Sequence, residues 1–455
     1  MTNFRAKGPL NDSEEFSSLQ LRSLDNELNA DKTSNLARIT VPDRSYADVL
    51  HNYDVQKQHP PVFSHELPFD GSITDQKDSG ICWIFASLNV LRRGMMEKYN
   101  MEDLELSQPY LFYYDKLEKA NWFLENILAT LDQDIESPDV QGLLSSPNPD
   151  GGHWHMFVAL IEKYGVVPKH VYPETFHTSH SSLELADLLG SRLREHAMIF
   201  RNAHAMGATV EDLRKRKHDV LKEIHRIVSI SAKSPPERFT WIFKDKDGKL
   251  NEFKDITPLE FYKQHVSFDC SQTVGLMNDP RKEYMRSYQP DYIGNVVGAP
   301  RVIFINVPMS IIRQCALKSI KDGCAATFGL DGCKLYSRAT GIRALDITEY
   351  EAAFDIKSNM SKAERLQYKI GGVDHIMTLI GVHIEDGQVI RWKAEDSSGG
   401  ANDNNGYSTI TDEWFEEHSY FLHVKKNYVP EHVLDVLDSD AVPIPYNHCL
   451  VGIPY

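Results

Sequence analysis

The stretch Gln76-Lys77-Asp78-Ser79-Gly80-Ile81-Cys82-Trp83 leads directly into Ile84-Phe85-Ala86-Ser87-Leu88-Asn89-Val90-Leu91. A turn-forming glycine stands two residues before a cysteine, and apolar residues then recur with helical spacing at Ile84, Leu88, Leu91 and Met95. The spacing predicts a helix that begins at Cys82. A sulfur at that place meets unpaired backbone N–H groups and the positive end of the helix dipole, which favour its anionic form. Gln76, six residues upstream, can bring a side-chain donor beside the same sulfur. Together they form half of a nucleophile-plus-oxyanion-hole device.

The chemistry dictates the other half. A thiolate nucleophile needs a histidine to share its proton and to protonate the leaving amine, and that histidine needs a group to hold its ring. Far downstream, Gly371-Gly372-Val373-Asp374-His375-Ile376-Met377-Thr378-Leu379-Ile380-Gly381 reads as a glycine turn followed by a histidine at the start of a buried strand. A second strand, Val389-Ile390-Arg391-Trp392-Lys393-Ala394, runs into Glu395-Asp396-Ser397-Ser398-Gly399-Gly400. A hairpin of the two would set His375 near Asp396.

With these parts in order the chain resembles the papain-like cysteine peptidases, and within them the bleomycin hydrolase branch of cytosolic aminopeptidases. That family carries a glutamine six residues before a Cys-Trp pair, matched by Gln76 and Cys82-Trp83. Secreted members place a disulfide cysteine three residues before the nucleophile; Ser79 stands there, as suits an intracellular branch. The likeness extends to Ser107-Gln108-Pro109-Tyr110-Leu111-Phe112, Asp150-Gly151-Gly152-His153-Trp154, Glu162-Lys163-Tyr164-Gly165-Val166 and Ile256-Thr257-Pro258-Leu259-Glu260-Phe261-Tyr262. Lys362-Ala363-Glu364-Arg365-Leu366 and Thr411-Asp412-Glu413-Trp414-Phe415 carry it nearly to the C-terminus.

The resemblance implies an α+β, two-lobed papain-like fold: a helical half with the nucleophile and an antiparallel, β-barrel-like half with the histidine. It implies hydrolysis of N-terminal residues of peptides, and of bleomycin-like amides, through a thioester, with no cofactor and no metal. Cys82, His375, Asp396 and Gln76 are the expected catalytic residues. Gly151 and Gly152 are expected in the cleft wall, where glycine admits close approach of an extended substrate; Gly152 is the better candidate. In the branch, the C-terminal carboxylate lies in the cleft and captures the substrate's free amine, which points to Tyr455. A ring-shaped homohexamer is implied as well.

Two departures stand out. The family has asparagine-serine-tryptophan-glycine where this chain has Asp396-Ser397-Ser398-Gly399. Asp396 is expected to favour the imidazolium by its charge. Serine in place of tryptophan at Ser398 is expected to strip apolar cover from the imidazole hydrogen bond and leave a working but altered dyad.

Length and composition agree. The chain of 455 residues exceeds one simple papain-like domain, and a hydrophobic content of 41% with 25% charged residues is ordinary for a globular protein. Its 49 basic and 65 acidic residues give a net charge of −16, which argues against a body-wide nucleic-acid surface. No apolar run reaches membrane-spanning length, Met1-Thr2-Asn3-Phe4-Arg5-Ala6-Lys7 lacks a signal-peptide core, and Cys82, Cys270, Cys315, Cys324, Cys333 and Cys449 are too scattered for a disulfide framework. A cytoplasmic protein without membrane partners is expected.

The organisation reads as an N-terminal arm (1–61), a helical half with the nucleophile (62–175), a helical insertion for oligomerisation (176–300), a strand-rich half with the histidine (301–430) and a tail toward the cleft (431–455). Cys82 and His375 lie roughly 300 positions apart where simple members need roughly 130–150, so roughly 150 residues must project from the core. Within the insertion, Leu185, Leu189, Leu193 and Phe200, then Leu213, Val220, Ile224 and Ile227, predict two amphipathic helices joined near Gly207. Strands are expected at Val302–Val307, Cys324–Leu330, Ile376–Val382, Val389–Lys393 and Tyr420–Val424.

Each signal also has a plainer meaning. A Cys-Trp pair before a helix is ordinarily core packing, Gly151-Gly152 a helix-entry turn, His375 a strand-end histidine and Asp396 a loop carboxylate. His153 with His155, or His177 with His180, lacks a third ligand at metal spacing. Arg214-Lys215-Arg216-Lys217-His218 reads first as a solvated helix face and second as a nucleic-acid contact. The alternative function is a catalytically weakened homologue serving as an oligomeric binding or assembly protein; an amidase of non-peptide substrates is a third reading.

Overall fold

The structure is a computed structural model, and it describes residues 16–68, 71–180, 182–401, 404–445, 448 and 450. The helix Cys82–Lys98 is buried on nearly every face, which explains its lack of a polar side. It packs on the strand His375–Glu385, where the Thr378 hydroxyl donates to the Ala86 carbonyl at 2.9 Å. Around it lie Gln108–Ala129, started by the Ser107 cap with Pro109 in the first turn, and Trp154–Tyr164.

Among the described residues, His375–Glu385 lies inside a 12-stranded sheet, antiparallel to Ala326–Leu330 on one side and to Gln388–Glu395 on the other. It is buried from Ile376 to Val382, so that part reads as a continuous apolar run rather than an alternating one. Register pairs His375 with Leu330 and Thr378 with Glu395. The hairpin therefore returns the chain so that Asp396 follows the strand end beside His375. Arg92 and Arg93 of the Cys82–Lys98 helix both reach Glu395, at 2.5 and 2.6 Å, and clamp helix to hairpin through a buried ion triad. Removing one member of such a cluster costs about 3–5 kcal/mol.

The helices Ser182–Ala205 and Val210–Ala232 bury Leu185, Leu189, Leu193, Phe200, Leu213, Val220 and Ile224 and pack on Gln108–Ala129. Two features depart from the expected insertion over 176–300. A hairpin of Phe239–Lys244 and Leu250–Ile256 follows the helices. The strands Thr273–Met277 and Arg286–Pro290 belong to the main sheet, so the strand-rich part reaches back inside that stretch. Thr273–Met277 pairs with Ser419–Lys425, remote in sequence; five residues are too few to display a period.

In the N-terminal stretch, the helices Ser18–Ala30, Lys32–Thr40 and Tyr46–Val49 have no buried residue. Val55 of the next helix, Tyr53–Gln58, seats in a small separate core with Ile342, Ala344 and Ile347. Among the described residues, no helix is long and apolar enough to cross a membrane. Tyr455 lies outside the described residues.

Candidate active site

Cys82 is the first residue of its helix, so its N–H has no intrahelical acceptor and is free for another. Gln76 is held twice. Its Nε2 donates to the Ser79 carbonyl at 2.8 Å, and its Oε1 accepts from the Ser397 hydroxyl at 2.5 Å. An amide nitrogen carries two hydrogens, so one donor remains after the Ser79 bond. The Gln76 N–H donates to the Ser397 carbonyl at 2.8 Å, and Asp75 bridges Ser398. The segment before Cys82 is thus paired with the turn that follows Asp396.

His375 Nε2 lies 2.9 Å from Asp396 Oδ1, which leaves Nδ1 as the nitrogen for the sulfur. Burial works against the imidazolium, but the Asp396 carboxylate and Cys82 outweigh it and hold the His375 proton well above the ordinary histidine range. Burial likewise opposes the Asp396 carboxylate, and His375 and Arg343 overcome it, keeping Asp396 below the ordinary carboxylate range. The structure therefore brings Cys82, His375, Asp396 and Gln76 together.

Gly151 and Gly152 are buried beside the same helix start. A Cβ on Gly152 would meet the Trp83 indole at 2.6 Å, so glycine is required there by the protein's own packing. Trp83 Nε1 donates to the Asp150 carbonyl at 2.8 Å, fastening this loop to the Cys82–Lys98 helix. The loop is further held by two buried lysines. Lys119 donates to the Pro149 and Gly151 carbonyls at 2.8 and 2.7 Å and pairs with Asp115 at 2.6 Å. Lys116 donates to the Asn148 carbonyl at 2.9 Å and pairs with Asp150 at 2.6 Å.

Sequence reasoning missed these lysines, Ser397 and Arg343. Asp150 sits within a stretch singled out for its likeness and Ser397 within the stretch singled out as a departure, and that was their signal. Lys116 and Lys119 lie on a long helix where a lysine ordinarily reads as solvated. Of the two ends of the imidazole hydrogen bond beside Ser398, Asp396 is only 4% exposed while the His375 side chain keeps 20%. Arg343, 2% exposed, lies 3.7 Å from Asp396 Oδ2 and is stacked on the Tyr336 ring at 3.8 Å.

Other candidates separate from the site. Arg214 and Lys217 of the basic run both turn onto Glu125, at 3.1 and 2.5 Å. Among the described residues, no group of three or more histidine, cysteine, aspartate or glutamate side chains could hold a metal, and Cys82, Cys270, Cys315, Cys324 and Cys333 are free.

A model of the Peptidase C1-like family matches residues 15–448. Bleomycin hydrolase of Gallus gallus is 40% identical over 395 residues, covering 84% of this chain and 87% of that protein. Aminopeptidase C of Listeria monocytogenes is 38% identical over 386 residues, covering 84% and 86%. The crystal structure of PepW from Lactobacillus rhamnosis superposes with a TM-score of 0.93 at 34% identity, over 96% of this chain and 99% of that one. With a sulfur at a helix start, an imidazole held by a carboxylate, and such likeness along almost its whole length, the chain belongs to the Peptidase C1-like family and is a cysteine peptidase.

Proposed function

We propose that the chain is a cysteine aminopeptidase that releases N-terminal residues from peptides through a thioester acyl-enzyme. The observation that carries the reading is the meeting of Cys82, His375 and Asp396 at the junction of nucleophile helix and sheet. In this mechanism Cys82 Sγ attacks the carbonyl carbon and forms the C–S bond as the carbonyl pair moves onto oxygen. The Cys82 N–H and the remaining Gln76 Nε2 hydrogen hold that oxyanion. The C–N bond breaks as His375 passes its proton to the departing amine. His375 then takes a proton from water, which attacks the thioester; the C–S bond breaks and the thiolate returns. Asp396 orients the imidazole and keeps it charged.

The aminopeptidase limit is supported by the names of the relatives, aminopeptidase C and bleomycin hydrolase. We infer that residues about Tyr455 set this limit by meeting the substrate's free amine, with Gly151 and Gly152 lining the cleft. Bleomycin-like amides, a homohexameric ring and a cytoplasmic setting belong to the same reading. The test is turnover of a fluorogenic peptide with a free N-terminus against its N-acetylated form. Turnover of the free form alone is expected, and deleting the last few residues should admit the acetylated one. Equal turnover of both by the full chain removes the exopeptidase limit. No turnover, with Cys82 labelling no faster than exposed Cys333 by an epoxide thiol-peptidase inhibitor, removes the peptidase reading.

A further inference from the structure

Asp396 stands where papain-like enzymes carry a neutral asparagine, and a carboxylate buried there would by itself be an uncompensated charge beside the imidazole. The fold supplies the opposite charge. Asp396 uses Oδ1 for His375 and turns Oδ2 toward Arg343, 3.7 Å away. Arg343 is itself enclosed: one guanidinium nitrogen donates to the Gly332 carbonyl, the plane lies over Tyr336 at 3.8 Å, and Trp414 follows at 5.6 Å. Its strand, Ile342–Arg343, is backed by Val55 from the N-terminal stretch, so the cation is placed by packing and not by solvent. A neutral side chain at 396 would leave this guanidinium without its counter-charge.

We propose that Arg343 is a positioning residue of the hydrolytic site: the Arg343–Asp396 pair acts as a net-neutral orienter of His375, and the guanidinium stacked on Tyr336 closes the Oδ2 side of Asp396 from water. The inference rests on the reading of Cys82 and His375 as a reactive pair and names how this chain tolerates an aspartate there. Arg343 does not touch the reacting atoms; it sets how strongly Asp396 draws on the imidazolium.

Other charges surround the ring. Glu395, next to Asp396, is taken up by Arg92 and Arg93. Asp374 accepts from the Gly332 N–H, with Asp331 and Cys333 beside it. Asp75 packs against Gly399. All are common to every variant below, so differences among variants report the pair alone.

The experiment follows alkylation of Cys82 by iodoacetamide against pH, read at the Cys82 peptide by mass, together with the alkaline limb of peptide hydrolysis. Alkylation reads the ionisation of His375 beside the thiolate whether or not any peptide is cleaved, so failure of this inference and failure of the peptidase reading are told apart. Arg343→Met, which keeps bulk and removes charge, should move the upper step to higher pH by about one unit. Asp396→Asn should move it down by about one unit or more. The double variant should lie between the two, and Arg343→Lys should stay near the parent. An upper step that ignores Arg343→Met in both backgrounds overturns the proposal. So does a double variant that fails to fold, because Arg343 then serves packing alone.

Discussion

Two flanks of the site are each held by buried cations, and they are held for different ends. On the flank of the Gly151–Gly152 loop, Lys116 and Lys119 spend their ammonium hydrogens on the carbonyls of Asn148, Pro149 and Gly151, with Asp150 and Asp115 as counter-charges. On the orienter flank, Arg343 faces a side-chain carboxylate that in turn hydrogen-bonds an imidazole. A cation on backbone carbonyls sets the shape of a loop; a cation on a titrating network sets a charge. The first should be read in stability and substrate affinity, the second in pH dependence.

The largest expected effect fixes the baseline for both flanks. Cys82→Ala should lower peptide hydrolysis by more than about 10³-fold while leaving the thermal unfolding curve in place. Measured alongside each flank variant, it separates lost chemistry from lost fold. Next comes the flank of the Gly151–Gly152 loop. Lys119→Met abandons the buried Asp115 carboxylate and should cost about 3–5 kcal/mol of stability, seen in chemical denaturation, with KM raised and the alkaline limb unmoved. A shifted limb would erase the distinction between the flanks.

Gln76→Ala lies between them, because Gln76 is tied to Ser79 on one side and Ser397 on the other. It should lower kcat by about 10²-fold or more, the usual worth of an oxyanion donor near 3 kcal/mol, with a far smaller change in stability. The smallest effect on maximal rate belongs to Asp396→Asn. The carboxylate helps hold the His375 proton above its ordinary range. A raised group keeps its charged form below its pKa and loses it as pH rises through that value. Without the carboxylate the loss comes sooner, and the alkaline limb of kcat/KM should move to lower pH.

Much of the architecture around the site was legible in local patterns. Apolar spacing from Ile84 to Met95 marks a helix beginning at Cys82, and the run from Ile376 to Val382 a strand buried on both faces. The turn after it is short, so the partner of His375 follows from hairpin geometry. The strand Thr273–Met277 was not legible, because its neighbours are remote and its five residues show no period. Lys116, Lys119 and Arg343 were illegible for another reason: a cation's burial depends on what surrounds it, and no spacing along the chain records that.

The chain's own order of residues determined the nucleophile's place at a helix start, the histidine's at a strand end, the family, and the departure at Asp396 and Ser398. Those are properties of neighbours along the backbone, where periodicity and turn chemistry act. Only tertiary structure decided that Glu395 would join two arginines of the nucleophile helix, that Trp83 would require glycine at Gly152, and that Arg343 would face Asp396 under a tyrosine ring. Electrostatic compensation acts through space at a few ångströms, between groups that the sequence keeps far apart.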